Sequence, residues 1–96
     1  MRPSVVLNAH RAEIRDIALC HRVTNIRVFG SAARGDDTDD SALDLLVDPT
    51  QETTLMDIGA IRFELSRLLG IPVDVLTPKS LPAKFREHVI KQATLL

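Results

Sequence analysis

The run Val28-Phe29-Gly30-Ser31-Ala32-Ala33-Arg34-Gly35, followed after an acidic stretch by Ser41-Ala42-Leu43-Asp44-Leu45-Leu46-Val47, constrains this chain more than any other feature. Its first half reads as a strand halted at Gly30, where a residue without a Cβ lets the backbone turn tightly and approach a ligand. Its second half reads as a strand with an acid, Asp44, near its start. Two such segments place a β-sheet at the centre of the fold and a polar turn at its edge.

The remaining pattern supplies the elements around that sheet. Asn8 is a candidate cap for a helix over about residues 8–21, with Ile14, Ile17 and Ala18 at helical spacing. Ile26–Phe29 alternates and is β-branched, which predicts a short strand, and Ser31–Arg34 a brief helical turn. Asp36-Asp37-Thr38-Asp39-Asp40-Ser41 is predicted to be an exposed loop, because so many carboxylates cannot pack. Leu43–Val47 is the second strand, closed by Asp48-Pro49. Leu55, Ile58, Ile61, Leu65, Leu68 and Leu69 predict a helix ending at Gly70. A third strand lies between Pro72 and Pro78, and a last helix starts near Leu81 or Pro82 with Phe85, Val89, Ala93 and Leu96 on one stripe. The expected architecture is one α/β domain over residues 1–96: a small three-stranded mixed sheet flanked by helices, covered on one face and partly open on the other.

Composition narrows the functional classes. At 96 residues and 45% hydrophobic content the core is small, so a partner or a homo-oligomer is a natural expectation. Twelve basic and thirteen acidic residues leave a net charge of -1, which gives no electrostatic case for nucleic-acid or membrane-surface binding. The absence of Tyr and Trp removes the usual platforms for base stacking. The single cysteine, Cys20, excludes an internal disulfide, and no Cys/His cluster suggests zinc. His10, His21 and His88 are widely separated and read as surface or helix-end residues. No segment approaches the roughly 20 apolar residues of a membrane span, and a cytoplasmic location is expected.

The chemistry-bearing residues fall in two groups. Gly30 and Ser31 offer a tight turn, a hydroxyl and the amides of the following turn, a combination suited to phosphate. Arg34 could reach the same anion, cap the turn or pair with the acidic loop. Positions 42 and 44 point the same way from the start of the second strand, so carboxylates at both would form one jaw of a divalent-metal site. Asp74, amid the apolar residues Val73, Val75 and Leu76, could supply the other, since burying an acid there without a purpose is costly.

Gly30-Ser31, ten intervening residues, position 42 with Asp44, and a later Val73-Asp74 strand resemble the nucleotidyltransferase superfamily that includes polymerase β. The match covers nearly the whole chain and is closest to the minimal nucleotidyltransferases, antitoxins encoded beside HEPN-domain ribonuclease toxins. The resemblance implies an Mg2+-dependent enzyme that transfers AMP from ATP to the cognate HEPN toxin. Gly30, Ser31 and Arg34 would bind the nucleotide, while Asp44 and Asp74 would be the catalytic and metal-binding acids. Ser41–Asp48 follows the family's segment at every position except 42, where alanine replaces a metal-binding aspartate. Three accounts of Ala42 compete. A deliberate Asp-to-Ala change is favoured by the intact neighbouring positions; a degenerate member working by binding alone comes next; substitution by Asp40 comes last. Transfer to RNA rather than to a toxin is a further alternative.

Overall fold

The computed structural model describes residues 1–96. Strand β1 (Val23–Phe29) pairs antiparallel with β2 (Leu43–Pro49), β3 (Val73–Leu76) runs parallel to β2, and β4 (Thr94–Leu95) lies antiparallel on the far edge of β1. The sheet order is therefore β3-β2-β1-β4. A parallel pair needs a crossover. Helix α4 (Leu55–Leu69), between β2 and β3, supplies it. The helix starts at a reciprocal cap in which the Thr54 hydroxyl accepts from the Asp57 amide and Asp57 accepts from the Thr54 amide, 3.2 and 2.8 Å. It ends where Gly70 takes the left-handed conformation, φ 68°.

Period-two alternation sorts the sheet into two chemically different faces. Leu43, Leu45 and Val47 from β2 and Val73 and Val75 from β3 join Ile61 and Leu65 of α4 in the core. Strand β1 contributes Val23, Ile26 and Val28 to the same face. That set breaks strict alternation because Asn25 and Ile26 together oppose Val47, forming a bulge with Asn25 at φ 49°. Arg27, Phe29, Asp44, Leu46 and Asp74 consequently belong to the opposite face. Leu46 is fully buried there, while Asp74 is exposed.

Several expectations are corrected. In place of one helix over 8–21 there are two, α1 (Pro3–Ala9) and α2 (Arg11–Leu19), broken at His10 with φ -130° and ψ 23°. Asn8 caps neither; α1 begins at Pro3, whose fixed φ suits a first helical residue. Strand β1 starts three residues earlier than predicted, at Val23. The final helix, α5 (Ala83–Gln92), stops before the C-terminus, and the expected stripe dissolves: Phe85 is exposed, and Leu96 leaves the helix to donate from its amide to the Ile26 carbonyl at 3.0 Å. The sheet therefore has four strands rather than three. The acidic loop is not uniformly exposed either. Asp37 is buried, accepting from the Ser4 amide at 2.7 Å and from Arg2 at 2.9 Å.

Candidate functional site

The site forms where β1 ends beside the start of β2. Phe29 and Asp44 are register partners, so the residue after Phe29, Gly30, sits directly alongside the Asp44 side chain. Gly30 has φ 74° and ψ -152°, a combination essentially restricted to glycine. A Cβ there would also collide with Asp44 Oδ2 and lie 3.3 Å from its Cγ. Two requirements thus coincide on one residue: the turn needs its backbone angle, and the carboxylate needs its space.

Short helix α3 (Ser31–Arg34) follows immediately, closed by Gly35 in the left-handed conformation at φ 85°. Ser31 is half-buried at its start, and buried Ala32 fastens the turn to the core. The first amides of any helix lack intrahelical acceptors, and those of α3 follow directly on Gly30. Arg34 is exposed and pairs with Asp36, Nε to Oδ2 at 3.2 Å. Its positive charge also acts on Asp44.

Asp44 and Asp74 are register partners across the parallel β2–β3 pair, so both acids stand on the same face of adjacent strands. Burial, then the neighbouring Asp74 carboxylate, push Asp44 up to about 6 from 3.8, with Arg34 opposing the rise. The exposure of Asp74 corrects the expectation of an acid buried within its strand: it remains at the open edge of the site. Like charges held this close gain from a cation between them.

Ala42 precedes β2 by one residue, on the Asp44 side of the chain by alternation, and brings no oxygen. Asp40 does not replace it. It sits in a turn closed by the Ser41 amide on the Thr38 carbonyl at 3.0 Å, and no third Asp, Glu, His or Cys forms a metal-holding cluster with the pair. Asp44 and Asp74 would suffice to hold one magnesium ion, which takes its other ligands from water and phosphate, whereas a second ion would lack the donor that an aspartate at position 42 would supply. The residues present fit a single cation.

The predicted set therefore converges: Gly30, Ser31, Arg34, Asp44 and Asp74 lie around the adjoining ends of β1, α3, β2 and β3. Sequence reading missed the wall supplied by α5. Phe29, Gly30 and Arg34 face His88, Val89 and Gln92 across a cavity of about 220 Å³. The only signal was the four-residue spacing of His88 and Gln92, which on an exposed polar helix is ordinary.

Residues 12–96 match the model of the family described as polymerase beta, nucleotidyltransferase. The chain belongs to this nucleotidyltransferase family. The protein adenylyltransferase MntA of Thermococcus cleftensis is 33% identical over 87 residues, a match spanning 91% of this chain and 85% of that one. A solved structure of a protein proposed to be a minimal nucleotidyltransferase superposes with a TM-score of 0.87 and 36% identity, covering 97% of this chain and 95% of the other. At 19% identity, a chain of a toxin-antitoxin crystal structure with AMP-PNP shares the fold, with a TM-score of 0.73 over 86% of this chain and 68% of that one. The minimal nucleotidyltransferase fold is thus the one built here, with four strands.

Proposed function

We propose that this nucleotidyltransferase-family chain is an antitoxin whose site binds ATP with Mg2+ for transfer of AMP to a cognate HEPN toxin, and that Ala42 leaves it with binding but little transfer. The observation that carries the reading is the coincidence at Gly30. Its glycine-only backbone, the Ser31 turn and the Asp44 carboxylate meet at one point, with Asp74 on the adjacent strand.

In this reading the Ser31 hydroxyl and the α3 amides orient the triphosphate, Gly30 lets it approach the backbone, and Arg34 offsets its negative charge. Asp44 and Asp74 hold the cation. When bound, magnesium supplies charge stabilisation for phosphoryl chemistry. Asp74 takes the proton from the attacking hydroxyl in this reading, which its exposure beside Asp44 supports. A hydroxyl attacking the α-phosphorus forms a phosphodiester to AMP and releases pyrophosphate.

The toxin partner follows from the resemblance to minimal nucleotidyltransferase antitoxins, and the adenylyl group from the name of the Thermococcus relative. The second reading, a non-catalytic antitoxin acting by occupancy, is favoured by Ala42 itself. Labelled ATP, magnesium and the toxin encoded beside this chain distinguish the two when offered to the chain and to Ala42→Asp. Label on the toxin with Ala42→Asp, at least about 100-fold above the unaltered chain, supports an impaired transferase. Neutralisation by both without label on the toxin from either defeats the transfer reading.

A further inference from the structure

Helix α5 has no buried residue, yet it is tied down at both ends. At its start, Arg86 donates to the Pro78 carbonyl at 2.7 Å and the Leu81 carbonyl at 3.1 Å, fixing the helix to the segment that leaves β3. At its end, Thr94 and Leu95 pair with Val28 and Arg27 of β1. The helix therefore runs from the strand bearing Asp74 to the strand that ends at Gly30. His88 and Gln92, one turn apart, reach the cavity shared with Phe29, Gly30 and Arg34.

That cavity has the make-up of a ligand subsite. Phe29 and Val89 give it apolar surface, and its polar side chains, Arg34 from α3 and His88 and Gln92 from α5, converge from two elements. Sites that hold a whole drug-sized ligand measure about 300–1,000 Å³. The roughly 220 Å³ here suits one part of a nucleotide. Gly30 and Arg34 border it on the side given above to the phosphates, and Phe29 and Val89 offer an aromatic ring and an aliphatic side chain between which a flat heterocycle fits.

Resting on the nucleotide-site reading above, we propose that the cavity beneath α5 holds the base of the bound nucleoside triphosphate and that Gln92 selects adenine. The Gln92 carboxamide presents a donor and an acceptor side by side, matching the acceptor N7 and donor N6 amino group of adenine. Guanine offers two acceptors on the same edge, leaving the carboxamide oxygen opposed. His88 forms the wall next to it and contributes to the binding of either purine.

Affinities for ATP, GTP and inorganic tripolyphosphate, each with Mg2+, test this in the unaltered chain, Gln92→Ala, His88→Ala and Ser31→Ala. Residues 88 and 92 are exposed, so both substitutions leave the fold intact. Gln92→Ala is expected to weaken ATP about tenfold while leaving GTP within about twofold and tripolyphosphate unchanged. His88→Ala weakens both purine nucleotides and spares tripolyphosphate. Ser31→Ala weakens all three. Unchanged ATP affinity in Gln92→Ala, or an equal loss for tripolyphosphate, overturns the base assignment alone. Failure of the unaltered chain to bind any of the three overturns the nucleotide-site reading beneath it.

Discussion

Asp44 is where structural and chemical demands conflict. It is the half-buried member of the carboxylate pair, and with burial and Asp74 pushing it up to about 6 the folded protein binds a proton there that the unfolded chain releases near 3.8. Between those values the folded state holds more protons, so stability falls as pH rises through the window and the loss is complete above about 6. Asp44→Asn removes that penalty. Discounted for solvent screening of a half-exposed group, the gain in urea-unfolding free energy is expected to be about 1 kcal/mol at pH 8 without metal, and to vanish below pH 4. Equal stability of the two proteins at pH 8 would contradict the strained pair. Gly30 and Ala42 both bear on the same acid: one has no Cβ because Asp44 occupies the space, the other brings no second carboxylate to it.

At the scale of elements, the opposite case is the link between α1 and the loop before β2. The Ser4 amide, followed by Arg2, holds the Asp37 carboxyl below its ordinary 3.8. A depressed carboxylate stabilises fully above its unfolded value, and that contribution disappears as pH falls through the lowered one. Asp37→Asn is therefore expected to lower the melting temperature at pH 7 and to converge with the unaltered chain under strong acid. Melting curves across pH 2–7 check the sign against that of Asp44. Sequence reading placed Asp37 in a solvated loop because a run of carboxylates cannot pack on itself; its partners Arg2 and Ser4 are more than thirty residues away and carry no local signal. The same reason hid β4, since two residues show no alternation and the strand exists only because β1 has a free edge. By contrast β2, β3 and α4 were legible. Their apolar periodicity and their stops at Pro49, Gly70 and Pro78 are local, and burial on the core face reinforces what propensity prefers.

Over the whole molecule, the sheet divides labour between its faces. One face meets α4 through a continuous apolar core, which fixes β1, β2 and β3 in register. The other carries Asp44 and Asp74, and α5 faces Phe29 and Gly30 across the neighbouring cavity. The two acids and the Gly30-Ser31 turn could be read from the chain because each lies within a short, spaced motif; the α5 wall could not, because only the return of the C-terminal segment to β1 brings His88 and Gln92 near Gly30. No helix is long and apolar enough to cross a membrane. The central claim is that this one face binds a nucleotide through a single cation held by Asp44 and Asp74. Thermal unfolding of the unaltered chain and of Asp44→Asn, with ATP and either magnesium or a chelator, addresses it most directly. ATP at about 100 times its dissociation constant should stabilise the unaltered chain by about 2.7 kcal/mol with magnesium, and far less with chelator or in Asp44→Asn. An ATP response absent from the unaltered chain, or equally large with chelator and in Asp44→Asn, would contradict it.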